Sequence, residues 1–230
     1  DRHRVQTPGQ GVGSLYHRRF VGRIRSARIT PEQLIARVAA DPNCVAPTTL
    51  ARFIKVAGAE GVIHVGDEFV VRMPGPWDGP IRVARADSTS LRFATLAGHL
   101  EAGQVEFRAS LESADLLFWV ETWACSGDRL SMLLYQHVRM AKEVQFHMWT
   151  SVVERAARLS GGRLVGGIDV ETRRVDRPAG GDRRLGDPDA RTSLDRLHDL
   201  AWNYDPDRAD DLTADQGWQR DEYRRRLPPE

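Results

Sequence analysis

The chain has 230 residues, of which 41% are hydrophobic and 28% charged, so it can fold around a sizeable core. Its 33 Lys and Arg residues balance 32 Asp and Glu residues, which gives no electrostatic reason to expect nucleic acid or an anionic membrane as a partner. No apolar run approaches the roughly 20 residues that a membrane-spanning helix needs. A protein without a membrane span is therefore expected.

The two cysteines, Cys44 and Cys125, have no CxxC spacing. One disulfide could join them, but two reduced and buried thiols are the favoured interpretation, and this usage is typical of a cytoplasmic protein. The histidines form no HExxH motif, which predicts the absence of a dedicated metal site. The glycine-rich stretch GQGVGS follows no strand and lacks a lysine, so no phosphate-binding loop and no cofactor are expected.

Composition divides the chain into three parts. Residues 1–13 are polar with several glycines, which predicts a flexible segment, and residues 14–162 read as one folded domain. Residues 163–230 are rich in charge, Gly and Pro, which indicates a linker or loose tail with two stretches able to form short helices. The tail carries apolar docking points at Leu194, Leu197, Trp202, Trp218, Tyr223 and Leu227. It either packs back on the domain or, over residues 172–230, binds a protein partner.

In chain order, the domain begins with a strand predicted at residues 15–24. Next, Thr30 has the character of a helix N-cap, with Pro31 at the first helical position and Gln33 three residues after the cap. A helix is therefore predicted from there to Asp41-Pro42. The stretch TTLARFIKVAG predicts a second short helix that ends at Gly58.

Five strands follow, because short apolar stretches alternate with turn-rich ones. They are DEFVVRM, PIRVARA, SLRFATL, QVEFRASL and LLFWVETWA, and their short connections predict antiparallel pairing. Over residues 129–160 the apolar residues then recur at helical steps of three and four. About 30 residues at ~1.5 Å each make a helix near 45 Å long, which can cross a whole sheet. The predicted class is α+β.

The last two strands form a hairpin whose register the residue pattern predicts. With Glu112 opposite Asp115, one face is apolar and the other polar. The apolar face holds Val105, Phe107, Ala109 and Leu111 beside Leu116, Phe118, Val120 and Thr122. The polar face pairs Glu106 with Glu121, Arg108 with Trp119, and Gln104 with Trp123. We expect the apolar face to lie against the long helix.

This register makes Glu106 and Glu121 cross-strand neighbours, which repel unless a cation lies between them or one holds a proton. Arg108 is one step away. The functional interpretation is an acid/base pair or a ligand-orienting network. The structural interpretation, which is favoured, is a salt-bridged outer face with Trp119 and Trp123 covered by the tail.

A turn with the sequence GHLEAG precedes the hairpin. His99 could be a proton shuttle at the mouth of a cavity, or it could hydrogen-bond Glu101 and fix the turn, which is the favoured interpretation. Gly98 and Gly103 are expected to adopt positive φ. On the long helix, Tyr135 and Arg139 share a stripe that could bind the anionic end of a ligand, although a solvated stripe is favoured.

The stretches GPIRV, LRFATLAGHLEAGQVEF, FWVETWACSGDRL and YQHVRMAKEVQFHMW together resemble the uncharacterised domain-of-unknown-function family numbered nineteen-ninety. The shared pattern is the Gly-His-x-Glu-x-Gly turn, followed by a helix that carries Tyr135, Arg139 and Gln145. The family has a second acidic residue where this chain has Gln104, which weakens a catalytic role at that position. The resemblance covers residues 14–160.

That family is similar to the helix-grip superfamily, which includes START lipid-transfer and birch-pollen-allergen-like proteins. The resemblance implies a curved antiparallel sheet wrapped around a long C-terminal helix, with two short helices after the first strand. It also implies a cavity between sheet and helix for an apolar or amphipathic small molecule. The superfamily includes cyclases, hydrolases and ligand sensors, so the fold alone does not decide the activity.

Three functions are compatible with these residues. The favoured one is a non-catalytic binder of a hydrophobic or amphipathic molecule, for which the ligand-binding candidates are Phe93, Phe107, Arg108, Phe118, Trp119, Tyr135, Arg139 and Met148. The second is a cyclase, lyase or hydrolase in which His99, Glu101, Glu106 or Glu121 moves protons. The third is an interaction module that acts through the C-terminal tail.

Overall fold

The computed structural model describes residues 3–7, 11–73, 78–126 and 140–175, with the backbone alone at 12–13, 140–144 and 175. The elements are β1 (Val12–Arg25), α1 (Pro31–Ala40), a 3₁₀ helix (Pro42–Cys44), β2 (Arg52–Ala57), β3 (Glu68–Arg72), β4 (Asp78–Ala86), β5 (Ser90–Thr95), β6 (Glu101–Glu112), β7 (Asp115–Ser126), α2 (Met140–Leu159) and β8 (Arg163–Val175). The strands form one antiparallel sheet in the order β2-β3-β4-β5-β6-β7-β1-β8.

Helix α1 begins as its sequence predicts. The Thr30 hydroxyl accepts a hydrogen bond from the Gln33 backbone N–H at 3.3 Å, and the Gln33 side chain accepts one from the Thr30 N–H at 3.0 Å. This capping box satisfies two backbone donors that a helix start otherwise leaves unpaired. The helix buries Pro31, Leu34, Ile35 and Val38, so local sequence alone specifies both its start and its packing face.

The second short helix is not where the sequence predicts it. A 3₁₀ helix occupies Pro42–Cys44, and most of the stretch that ends at Gly58 is strand β2. The Asn43 side chain accepts from the Phe53 N–H at 2.8 Å and donates to the Phe53 carbonyl at 2.9 Å, which fixes the start of this strand. Pairing with β3 then overrides the local helical pattern, as tertiary contacts commonly do.

The predicted register of the β6–β7 hairpin is confirmed. Glu112 pairs with Asp115, Phe107 with Val120, and Glu106 with Glu121. The hairpin is longer than predicted, since β6 starts at Glu101 and β7 ends at Ser126. Because side chains alternate along a strand, this register assigns every residue of the hairpin to one face of the sheet.

The sheet continues past residue 162, where a loose tail is predicted. Strand β8 pairs with β1 from the Arg25–Arg163 end to the Leu15–Val175 end. Its Ile168 and Val170 are each 1% exposed, and Asp169 and Glu171 alternate with them along the strand. Asp169, Glu171 and Arg173 lie on one face of the strand, and Ile168 and Val170 on its other face meet the core.

The core lies on one face of the sheet, which both α-helices cover. Phe20, Phe93, Phe107 and Phe118 belong to one cluster that also contains α1 and α2 side chains. The helix residues in it are Leu34, Ile35, Val38, Val152, Val153, Ala156 and Ala157. The antiparallel sheet curves around α2, so the predicted α+β helix-grip class is confirmed, with β8 as an added strand. Residues 129–139 of the predicted long helix lie outside the described residues.

Two further predictions concern the start of the chain and the cysteines. Within the predicted flexible segment, Val5 forms a β-bridge with Leu96, and the Gln6 N–H donates to the Thr95 carbonyl at 2.8 Å. Both cysteines are free thiols, as expected, with Cys125 buried and Cys44 half-buried. Across the described residues, no helix is long and apolar enough to cross a membrane.

Candidate functional site

The two faces of the sheet carry different chemistry. We call the face that meets α1 and α2 the inner face and the opposite one the outer face. Alternation along the hairpin puts Phe107 and Phe118 on the inner face, and Arg108 and Trp119 on the outer face. The predicted ligand-binding residues are therefore divided between two surfaces and do not form one site.

Aromatic rings form a continuous series across the inner face. Phe53 on β2 lies 5.7 Å from Phe93, Phe93 lies 6.2 Å from Phe107, and Phe107 lies 6.1 Å from Trp149 on α2, measured between ring centroids. Phe93 and Phe107 are buried, whereas Phe53 and Trp149 at the two ends are half-buried. Met148, a predicted ligand contact, is half-buried and packs against the same cluster.

A polar group lies within the same inner face, beside α2. Arg18 is 7% exposed, and its guanidinium donates to the Gln145 side chain at 2.7 Å. Gln145 in turn donates to the Glu101 carboxylate, so three side chains connect β1, α2 and β6. The Arg18 guanidinium also lies over the ring of Phe146, 5.7 Å from its centroid, one helical turn before Trp149. Arg18 Nε has no hydrogen-bond partner among the described residues.

The outer face carries a set of charged and aromatic side chains, most of them buried, which we call the polar layer. It consists of His17, Arg19, Arg92, Glu106, Arg108, Trp119, Glu121 and Trp123. One row runs directly across β5, β6, β7, β1 and β8 as Arg92, Glu106, Glu121, Arg19 and Glu171. Cross-strand neighbours of this kind are the contacts by which a sheet face is stabilised.

The two carboxylates at the centre of the polar layer are held by different partners. Arg92 donates to Glu106 at 2.8 Å, and His17 Nε2 lies 2.5 Å from Glu121 Oε1. The His17 ring stacks on Trp123 with 3.8 Å between centroids. The repulsion that the sequence predicts between the carboxylates is therefore offset by one partner on each side. The expected partner Arg108 contacts Trp119 instead.

Trp119 lies beside two guanidinium groups. Arg19 Cζ is 5.1 Å and Arg108 Cζ is 5.4 Å from its ring centroid, within the range of cation–π attraction. Several buried polar atoms here have no hydrogen-bond partner among the described residues: Glu106 Oε1, Glu121 Oε2, Trp119 Nε1, Arg108 Nη1 and Arg19 Nε. Unsatisfied buried groups cost about 1–3 kcal/mol each, so such a set calls for a partner.

The histidine of the GHLEAG turn has a structural contact. His99 Nδ1 accepts from the Glu101 backbone N–H at 2.9 Å, and Nε2 lies against Gly79, where a Cβ would approach it to 2.7 Å. The favoured structural role is thus supported, with the Glu101 backbone as partner in place of its carboxylate. Glu101 itself lies on the inner face, so His99 and Glu101 do not join Glu106 and Glu121 in one catalytic group.

Tyr135 and Arg139 lie outside the described residues. Sequence reasoning missed His17, Arg18 and Arg92 as site residues. Alternation along β1 places His17 and Arg18 on opposite faces of the sheet. However, Glu121 lies 104 positions from His17, and no local sequence pattern predicts their contact. Within the described part of the chain, no group of three or more His, Cys, Asp or Glu side chains could hold a metal ion.

No family model matches this chain, and neither does any curated protein. Among solved structures it is similar to ginseng major latex-like protein 151 from Panax ginseng, with 14% identity, 63% of this chain and 97% of that chain covered, and a TM-score of 0.47. It is also similar to protein Ms6760 from Mycobacterium smegmatis, with 12% identity, 62% and 89% covered, and a TM-score of 0.42. It is similar as well to norcoclaurine synthase from Thalictrum flavum, with 9% identity, 65% of this chain and 87% of that chain covered, and a TM-score of 0.41. Likenesses this distant assign no ligand or reaction to the chain.

Proposed function

We propose that the protein binds a small apolar or amphipathic molecule between the inner face of the sheet and α2. The aromatic series supports this, because its two end members, Phe53 and Trp149, remain half-buried. Half-buried rings next to a packed core offer apolar area to a ligand at little conformational cost. Phe146 and Met148, also half-buried, extend this surface along α2.

The observation that carries the proposal is the unpartnered Arg18 Nε. A guanidinium N–H that is buried without an acceptor costs free energy, which a ligand oxygen recovers. Arg is also the side chain best suited to a planar carboxylate, because its donors form a rigid fork. The class of ligand that fits is therefore an aliphatic or aromatic body with one carboxylate or carbonyl group.

The probe for this site is a fluorescent long-chain fatty acid, with its methyl ester as a neutral counterpart. Arg18→Met should weaken binding of the acid about tenfold and binding of the ester much less, since the ester offers Arg18 a carbonyl oxygen but no charge. Arg23→Met is the matched control on the same strand, because the Arg23 side chain is 40% exposed and pairs with Glu112 and Asp115. Fluorescence titration measures both affinities.

A second pair of variants tests the location. Val105 is half-buried on the inner face of β6, and Leu111, on the same face of the same strand, is 63% exposed. Val105→Trp should obstruct the site and weaken both probes, whereas Leu111→Trp should not. Equal effects of the two substitutions on probe affinity would exclude the part of the inner face around Val105 as the binding site. A native protein that binds neither probe and carries no small molecule in native mass spectra would refute the function.

Three further predictions from the sequence stand beside this proposal. Membership in the family numbered nineteen-ninety is supported by the Gly98–Gly103 pattern. An acid/base enzyme has less support, because His99 and Glu101 are separated from the other two carboxylates. If residues 172–230 bind a protein partner, the contact begins after Val175. Residues 172–175 pair with β1 as part of strand β8.

A further inference from the structure

Six of the eight residues of the polar layer are buried and Arg19 and Arg108 are half-buried, although neither described helix covers the outer face. Glu121 is 2%, Glu106 4% and Trp119 7% exposed. Both α1 and α2 contribute to the core of the inner face. Residues 3–7 contact Glu68 of β3, Arg82 of β4 and Thr95 at the end of β5.

Several polar atoms of the polar layer have no hydrogen-bond partner among the described residues, and they include both acceptors and donors. Glu106 Oε1 and Glu121 Oε2 are unpartnered acceptors, and Trp119 Nε1 and Arg108 Nη1 are unpartnered donors. A simple anion or cation satisfies only one of these two kinds. A polypeptide satisfies both, because its backbone alternates N–H and C=O and its side chains can carry charge of either sign.

We propose that the polar layer is the docking surface for the chain's own C-terminal segment, residues 176–230. Val175, the last described residue, lies two residues after Arg173, which pairs with His17 at the edge of the polar layer. From β8 to β6 is three strand spacings, about 14 Å. Five extended residues cover roughly 16 Å, so the segment reaches Glu106 and Arg108 with most of its length unused.

The composition of the segment fits the surface. Asp and Arg alternate along it, as in DRRLGDPDAR and DPDRADD, and it carries Trp202 and Trp218 among its apolar residues. The polar layer likewise offers carboxylates, guanidiniums and indole rings. Opposite charges on the two sides pair, and each indole ring on the sheet offers a flat apolar surface for a ring or an aliphatic side chain.

Hydrogen–deuterium exchange on the full chain tests this docking. Part of residues 176–230 should exchange at least about tenfold more slowly than an unstructured peptide. Trp119→Phe, which removes only the indole and its N–H, and Arg108→Glu, which reverses a charge, should each reduce that protection about tenfold. Arg72→Met is the control, because Arg72 is an exposed residue of β3 that forms an ion pair with Asp78.

Exchange in β6 and β7 reports whether each variant still folds. If Arg108→Glu unfolds the sheet, Trp119→Phe alone carries the test. Residues 176–230 that exchange at the unstructured rate in the native chain overturn the proposal, and so does protection that neither substitution changes. Protection that rises with protein concentration identifies a second copy as the occupant, and extra mass in native spectra with an unprotected segment identifies a small molecule. Either result also overturns it.

Discussion

At the scale of single residues, His99 illustrates how a turn sets the protonation state of a titratable side chain. Burial lowers the pKa of the His99 imidazole below its usual 6.5, while the nearby Glu101 acts in the opposite direction. Nδ1 accepts a hydrogen bond from a backbone N–H, which requires the ring to be unprotonated at that nitrogen. The neutral ring is therefore the folded form.

This leads to a pH-dependent stability with a defined sign. Because the folded pKa of His99 is lower than the unfolded value of about 6.5, its contribution to stability is present above that value. It is lost as pH falls through 6.5 towards the folded pKa. Between about pH 7 and about pH 5, the native chain should lose more free energy of unfolding than His99→Asn, as measured by urea denaturation. An NMR titration of His99 with a midpoint at or above 6.5 would contradict this.

At the scale of elements, the β6–β7 hairpin depends on a glycine for a reason that the sequence does not show. Gly98 has the predicted positive φ of 98°, but Gly103 does not. A Cβ on Gly103 would overlap the Trp123 carbonyl oxygen and lie 2.8 Å from Ala124 Cα, both in the backbone of β7. The glycine is needed for close strand approach.

We expect Gly103→Ala to cost about 3 kcal/mol of unfolding free energy, because neither strand can move away without losing its ladder. Gly66→Ala is the matched control. Gly66 has φ +95° and no atom within 4 Å of an added Cβ, so it should cost only the backbone strain, about 1 kcal/mol. Chemical denaturation compares the two. Equal losses would show that the contact with Trp123 is not what requires glycine.

At the scale of the whole molecule, β8 turns β1 from an edge strand into an inner one. It pairs with β1 along nearly the whole length of that strand, and it buries Ile168 and Val170 in the main core. Edge strands with unpaired backbone groups invite association with other chains. The sheet is therefore complete only when the chain continues through residue 175.

A chain that ends at residue 162 should be less stable than one that ends at 175 by roughly 4 kcal/mol, the value of burying two aliphatic side chains. It should also self-associate through the exposed edge of β1. Urea denaturation measures the first effect and size-exclusion chromatography the second. Equal midpoints and equal elution for the two chains would mean that β8 is not part of the cooperative unit.

The sequence by itself determined those features whose cause lies within a few residues. The capping box at Thr30 predicts α1, and alternation on both sides of the turn between Glu112 and Asp115 predicts the register of the hairpin. A hairpin closes locally, so its pairing follows from the pattern of its own two strands. The α+β class follows from the same periodicities.

Only the tertiary structure decided the features that depend on distant pairing. β2 is a strand because β3 lies beside it, and β8 is a strand because β1, more than 130 positions away, offers an edge. The same distance hides the contact between His17 and Glu121 and that between Arg18 and Gln145. Periodicity reveals which face a residue occupies within its own strand. It carries no information about which remote strand becomes the neighbour, because that choice depends on the closure of the whole sheet.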